Sequence, residues 1–284
     1  MQRILIQLDT DAEPSVFDAV VAVDSSVDRL LQYHGIHEKN VEAKVHGAIF
    51  TRGTADLKNT AIFIGGSDMA AAEAVLARVK KAFFGPMRVS VMFDPNGSNT
   101  TAVAAVLAAE RHATLDKSTA LVVGTGPVGQ RAVRLLASGG AKTRIGSRTL
   151  ERAKSIADAV KARVPAATLE PVAIASQDQA AAALVGVNIL IAAGPPAVEL
   201  IAADVRRNCA TLAVAIDLNA VPPAGIGGIA PLDRAADHSG VPGYGAIGVG
   251  GTKMKLHKAA IARLFTSNDQ VLDAEELYAL GKSL

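Results

Sequence analysis

Residues 121–130 read Leu-Val-Val-Gly-Thr-Gly-Pro-Val-Gly-Gln, an apolar run that breaks into glycines at Gly124, Gly126 and Gly129. Glycines at this spacing suit phosphate binding. The first permits a tight turn, the second lets the backbone approach a pyrophosphate, and the third lets the next helix pack closely, its amide-rich N-terminus attracting the negative charge. The flanks agree: Thr119 to Val123 is a short buried-strand run, and Val128, Arg131, Ala132, Leu135 and Leu136 have helical apolar spacing. Gly124, Thr125, Gly126, Pro127, Val128 and Gly129 are therefore expected to hold a dinucleotide.

The end of the second strand, roughly twenty residues on, discriminates between dinucleotides: an acid there holds a ribose 2′-hydroxyl, and a basic residue accommodates a 2′-phosphate. Here the strand closes on Gly146-Ser147-Arg148, with no acid. Ser147 donates a hydrogen bond, and Arg148 offers a planar fork of donors suited to phosphate oxygens. The expected cofactor is NADP rather than NAD. The competing reading makes Arg148 a solvated residue in the loop that opens the next helix, with Glu151 near enough to turn toward a ribose.

Hydride transfer to a nicotinamide needs the substrate face to face with the ring, and an acid or base only where a proton also moves. The strand-helix region holds no Ser-x-x-x-Lys or Tyr-x-x-x-Lys pair, which disfavours alcohol chemistry of the short-chain type. His34 and His37 lack acidic or thiol partners, so they read as surface histidines and no metal site is expected. Two polar segments remain. Asp9-Thr10-Asp11-Ala12-Glu13-Pro14-Ser15-Val16-Phe17-Asp18 follows the first strand and could hydrogen-bond an amide-rich heterocycle, or simply cap a helix through Thr10, Asp11 or Ser15. Gly250-Gly251-Thr252-Lys253-Met254-Lys255-Leu256-His257 reads as a glycine turn entering a helix, with one lysine toward a ligand or both on a solvated face.

The elements that position these residues follow from periodicity. From about residue 118 the chain alternates strand and helix: strands at 119–123, 142–145, 167–174, 188–193 and 211–217, and helices at 128–138, 149–162 and 177–185. This is a doubly wound parallel sheet of the Rossmann type. Ligands of such sheets lie beyond the carboxyl ends of the strands, which places Ala193-Gly194-Pro195 and Asp217-Leu218-Asn219 beside the cofactor, unless these are ordinary turns. Before residue 100 lies a separate α/β unit without a phosphate signature, with strands at 3–8, 47–51, 60–65 and 89–93 and a helix near 68–83. Ala102 to His112 reads as a connecting helix, and 253–265 and 274–280 as closing helices. The domains expected are 1–101 for substrate, 102–250 for NADP, and 251–284 as helices packing back across the interface.

Composition sets the class. Of 284 residues half are hydrophobic and 20% charged, enough for two cores in a soluble protein. A net charge of +2, 4% aromatics and no basic run argue against nucleic acid as a partner. No export signal is apparent near Met1, and the most apolar stretch, 181–203, is interrupted by Asn188, Gly194, Pro195, Pro196 and Glu199, so no membrane segment is expected. The lone Cys209 excludes an intrachain disulfide and fits a reducing cytoplasm.

Further motifs accompany these: Thr51-Arg52-Gly53, Thr60-Ala61-Ile62-Phe63 with Gly65-Gly66, Asn96-Gly97-Ser98-Asn99-Thr100-Thr101-Ala102, Asn219-Ala220 with Pro222-Pro223, and Gly225-Ile226-Gly227-Gly228-Ile229. Together with the Asp9 to Asp18 loop, the glycine turn and the Gly250 to His257 segment, they resemble the NADP-dependent methylene-tetrahydromethanopterin dehydrogenases of methylotrophic bacteria, some of which also act on methylene-tetrahydrofolate. The resemblance runs nearly end to end. It implies an N-terminal pterin domain, a central NADP domain and a cleft between them. Hydride would pass from the methylene carbon to the cofactor in one-carbon (formaldehyde) oxidation, leaving a methenyl cation delocalised over two nitrogens, so that no acid, base or metal is required.

The resemblance also assigns residues. Lys253 becomes the lysine at the chemistry, with a positioning role, and Asp9, Asp11, Ser15, Phe17, Asp18, Asn96, Ser98, Asn99, Thr100, Lys255 and His257 fall on the pterin side. A homo-oligomer is implied too. The family's arginine matches Arg148, but Thr149 stands where members often carry lysine. A folate-type dehydrogenase/cyclohydrolase, a shikimate-dehydrogenase-like enzyme and a non-catalytic NADP-sensing regulator are the alternatives.

Overall fold

The computed structural model describes residues 1–284. The elements run β1 (Ile4–Asp9), α1 (Val16–Val23), β2 (Arg29–Tyr33), α2 (Glu42–Ile49), β3 (Thr60–Gly65), α3 (Met69–Ala82), β4 (Ser90–Phe93) and α4 (Ser98–Glu110). They continue with β5 (Thr119–Val123), α5 (Pro127–Ser138), β6 (Lys142–Ser147), α6 (Leu150–Arg163), β7 (Leu169–Ala173), α7 (Gln177–Leu184), β8 (Ile189–Ala192), α8 (Ala203–Arg207) and β9 (Val214–Asp217). Last come β10 (Arg234–Asp237), β11 (Pro242–Tyr244), α9 (Ala246–Arg263), β12 (Val271–Leu272) and α10 (Ala274–Gly281). Two units result, Met1–Thr100 with Met254–Leu284, and Thr101–Lys253. The chain leaves the first within α4 and re-enters it within α9.

The first unit is built on a parallel five-stranded sheet, ordered β12-β4-β3-β1-β2. Ile6 and Leu8 of β1, Ile62 and Ile64 of β3, and Val91 and Phe93 of β4 share one face, where they pack against Val45, Ala48 and Ile49 of α2 and Val75 and Val79 of α3. Each buried Val, Ile or Phe among them contributes about 1.5–3 kcal/mol. Asp68 caps α3 by accepting from the amides of Ala70 and Ala71.

The second unit is a seven-stranded sheet, ordered β10-β11-β9-β8-β5-β6-β7, parallel except for β10. Strands β5, β6 and β7 proceed outward one way, and β8 and β9 the other, so the order reverses between β5 and β8. That is the switch point at which doubly wound sheets bind ligands, and the α/β class expected from the sequence is the one observed. No helix is long and apolar enough to cross a membrane.

Several local expectations are corrected. Residues 47–51 are not a strand: α2 runs to Ile49, because Val45, Ala48 and Ile49 form a helical stripe that packs into the core. β2 was missed because a strand exposed along nearly its whole length lacks the alternation that marks a half-buried one. Ser98 to Thr101 lie in α4 rather than ahead of it. Gly250 and Gly251 are not a turn but interior residues of α9. The short strands β10, β11 and β12 carry no readable period.

Candidate active site

The glycine turn stands at the switch point of the second unit. Gly124, just past β5, has φ 118°, a left-handed conformation that favours glycine. A Cβ there would lie 2.4 Å from the carbonyl oxygen of Ala193, just past β8, so the turns after the two switch-point strands are packed on one another. At Gly129 a Cβ would lie 2.0 Å from the carbonyl of Gly124, which fixes the close approach of α5 to the strand end. Gly126 differs. It caps α5, with Pro127 in the first turn, and a Cβ on it would meet no atom within 4 Å. Two of the three glycines are thus demanded by the chain's own packing, and the middle one keeps backbone bare toward open space, as a pyrophosphate requires.

Ser147 ends β6 half-buried, and Arg148 follows it in the open. Thr149 caps α6 by accepting from the amide of Arg152. Arg152, missed in the sequence reading, extends a guanidinium nitrogen to within 3.5 Å of the Thr125 carbonyl in the glycine turn. Its signal was available: it lies four residues beyond Arg148, at the start of α6. Gln130 secures the same carbonyl at 2.9 Å.

Asp217 and Asn219, expected beside the cofactor, have their side chains engaged within the chain: the Asp217 carboxylate accepts from the amides of Asn219 and Ile226, each at 3.0 Å. The Asn219 side chain accepts from the Val221 amide and donates to the Pro223 carbonyl. Both side chains anchor the loop that follows β9. Burial raises the Asp217 carboxyl above its usual range, against the opposing pull of those backbone amides. Gly194 packs on Leu200, and Pro195 is exposed.

In the first unit the polar residues gather beyond the carboxyl ends of β1, β3 and β4. Asp9 is buried and accepts from the amides of Asp11 and Ser15 at 3.0 and 3.1 Å. Ser15 caps α1, accepting from the amide of Asp18, whose own carboxyl is buried. Asp11 accepts from the amide and hydroxyl of Ser67, beyond β3. A Cβ on Gly65 would lie 3.1 Å from one oxygen of Asp9 and 3.7 Å from one of Asp18, so both carboxylates converge on the end of β3.

Beyond β4, buried Asp94 accepts from the amides of Asn99 and Thr100 and from the Thr100 hydroxyl at 2.6 Å, securing the first turn of α4. Asn99 donates to the Phe93 carbonyl and to Asp273. Ser98 is buried as well. His257, expected to touch substrate, is wholly buried: its ring stacks on Phe63 at 5.7 Å, lies 6.2 Å from Phe17 and comes 3.9 Å from Asp94. His257 therefore packs among Phe63, Phe17 and Asp94 in the interior of the first unit. Asp94 and Phe63 were overlooked as site residues, because nothing in the local sequence says which carboxylate or ring turns inward.

Fewer residues are left at the surface. Phe17 and Asn96 are exposed, Asn96 in a left-handed turn at φ 51°, and Asp11 and Ser15 are partly so. Lys253 is partly exposed on α9, and exposed Lys255 donates to the carbonyl of Leu284.

Residues 16–96 match the family described as methylene-tetrahydromethanopterin dehydrogenase, N-terminal, and residues 106–220 the shikimate / quinate 5-dehydrogenase family. The bifunctional protein MdtA of Methylorubrum extorquens is 43% identical over 100% of this chain and 99% of its own length. The NAD(P)-dependent methylenetetrahydromethanopterin dehydrogenase of the same organism is 32% identical over 94% and 93%. Among solved structures, a Listeria monocytogenes shikimate 5-dehydrogenase superposes with a TM-score of 0.58 at 13% identity, over 99% of this chain and 96% of that one, a likeness of fold alone. With relatives this similar along its length, the chain belongs to the methylene-tetrahydromethanopterin dehydrogenase family.

Proposed function

We propose that this chain is a dehydrogenase that oxidises methylene-tetrahydromethanopterin to its methenyl form with NADP, with methylene-tetrahydrofolate as a second substrate. The observation that carries the reading is the 32% identity, across nearly the whole chain, to a relative named as an NAD(P)-dependent dehydrogenase of this pterin. The second unit supports a nucleotide: Gly126 leaves backbone amides bare at the start of α5, and Arg148 and Arg152 flank the turn where a 2′-phosphate would lie. When bound, the nicotinamide supplies the hydride acceptor.

The chain's own residues have the work of binding and orientation. Removing hydride from a carbon bridging two nitrogens gives a cation that both nitrogens share, so no proton has to leave and no general base is called for. Asp11, Ser15, Phe17 and Asn96 form the pterin-facing set: carboxylate and hydroxyl for the heterocycle's amide-like edge, and an aromatic face for its plane. Asp9, Asp94, Asn99, Thr100 and His257 hold that set from behind. Lys253 positions the pterin, and its charge, opposed to a developing cation, does not stabilise the product.

The test is direct. Purified protein is given each of the two methylene pterins with each of NADP and NAD, and nicotinamide reduction is followed. Methylene-tetrahydromethanopterin with NADP is expected to turn over fastest; silence in all four combinations overturns the reading. Following the methenyl product after it forms separates a plain dehydrogenase, which leaves it intact, from one that also hydrolyses it.

A further inference from the structure

In the first unit the end of α9, β12 and α10 line a surface cavity of about 390 Å³. The helical repeat of α10 supplies one wall: Ala274 and Leu277 are buried, while Glu276, Ala279 and Leu280, three and four residues apart, share a face that lines the cavity. Val271 and Leu272 of β12, with Leu280, give it an apolar surface. None of these residues belongs to the candidate active site.

Two opposite charges line the same cavity without pairing with each other. Arg263, the last residue of α9, is oriented by Gln270, whose Oε1 accepts its Nε at 3.0 Å. Gln270 is itself fixed, since its Nε2 donates to the Arg263 carbonyl and to the hydroxyls of Thr266 and Ser267 at 3.0, 2.8 and 3.0 Å. With Nε engaged, the two terminal nitrogens of the guanidinium carry no partner. Glu276 is held in a similar way. Its Oε2 accepts from the Asp273 amide at 3.0 Å, closing the capping box of α10, and its Oε1 has no partner. Each charge is thus tethered at one atom and open at another, which lowers the entropy a ligand would cost on binding.

The charges select the ligand. An anion is drawn to Arg263 and repelled by Glu276, and a cation the reverse; a molecule carrying both charges meets each with its complement. A carboxylate matches the planar fork of a guanidinium, and an ammonium donates to a carboxylate oxygen. The volume falls at the low end of the about 300–1,000 Å³ usual for ligand cavities, room for one small molecule. We propose that this cavity binds a free α-amino acid with an apolar side chain, its carboxylate on Arg263, its ammonium on Glu276 and its side chain against Val271, Leu272 and Leu280.

Isothermal titration calorimetry on the full chain reads binding without turnover, so its outcome is independent of the pterin chemistry. The probe is L-leucine, beside isocaproate, which is leucine without the ammonium, and isoamylamine, which lacks the carboxylate. Leucine is expected to bind with a dissociation constant of about 1 mM or tighter, and each analogue at least about tenfold more weakly. Arg263→Met and Glu276→Gln should each weaken leucine at least about tenfold; the glutamine keeps an acceptor for the Asp273 amide, so α10 stays capped. Isocaproate should bind Glu276→Gln no worse than the wild type, because it has no ammonium to lose and a like charge is gone. Ala279→Phe fills the cavity without touching either charge and should abolish binding. All three positions are exposed, and circular dichroism checks that the variants fold. A wild type that binds no leucine overturns the proposal. So does wild-type affinity for leucine in either charge variant or in Ala279→Phe, or an analogue that binds as tightly as leucine.

Discussion

The carboxylate of Asp217 accepts the backbone amide of Ile226, nine residues further on, at 3.0 Å, and so fastens the Pro- and Gly-rich loop to the strand it leaves. Because burial raises this carboxyl above its usual range, the native state holds the proton more tightly than the unfolded chain does. The stabilisation linked to that proton is present below the ordinary carboxylate pKa of about 4 and is lost as pH rises through the higher native value. Asp217→Asn, which cannot ionise, is expected to lose some stability at every pH through a poorer fit to the amides. Above pH 4 the gap should narrow, since only the wild type weakens through this group. Thermal melts of both proteins across that window check it, and parallel curves would refute it.

Gly126 and Gly129 sit in one turn and should fail differently. A methyl at Gly129 collides with the Gly124 carbonyl, so Gly129→Ala is expected to cost about 1–3 kcal/mol of stability or more. A methyl at Gly126 meets nothing in the protein, and its φ of −73° suits alanine, so Gly126→Ala should melt like the wild type. It should nonetheless bind NADP at least about tenfold more weakly, because the methyl occupies the approach of the pyrophosphate. Calorimetric titration beside a melting curve tests the pair; unchanged NADP affinity in Gly126→Ala would remove the phosphate from this turn.

Arg148 follows β6, and Arg152, four residues on in the first turn of α6, reaches the Thr125 carbonyl of the glycine turn. A charge-assisted hydrogen bond to a phosphate contributes about 1.5–3 kcal/mol. Arg148→Ala should therefore raise the KM for NADP by about tenfold or more and leave that for NAD nearly unchanged, and Arg152→Ala should act in the same direction. Equal losses with both nucleotides would place these guanidinium groups elsewhere than on a 2′-phosphate.

How far the sequence could be read follows from how local each demand is. The nucleotide turn was legible because its requirements fall on single residues: a left-handed φ at Gly124 and a contact at Gly129 that admits no side chain. The polar cluster of the first unit was legible as composition but not as roles. Whether Asp11 faces ligand or neighbour depends on Ser67, 56 residues away, and the place of His257 depends on Phe63 and Asp94, which the fold alone brings near. The helix through Gly250 and Gly251 misled for a related reason. Glycine weakens an isolated helix by about 1 kcal/mol per residue, yet α9 is long and buries Leu256, Ala260 and Ile261, which outweighs it.

Those two glycines bear on Lys253, the residue proposed to position the pterin. A Cβ on Gly250 or Gly251 would meet no atom within 4 Å, so packing inside the chain does not demand glycine at either position, and Gly250 lies one turn before Lys253 on the same side of α9. Space kept beside a partly exposed lysine suits a ligand that lies along the helix. If Lys253 orients the pterin, Lys253→Ala should lower kcat by about 100-fold, the scale of a small misplacement in a hydride transfer, with NADP affinity unchanged. Gly250→Leu should fill the space, raise the KM for the pterin and leave the melting temperature equal or higher, since leucine favours helix over glycine. Steady-state kinetics with each substrate varied in turn, beside NADP titrations, distinguish these effects. A Lys253→Ala enzyme with wild-type kcat would show that the lysine merely decorates the helix.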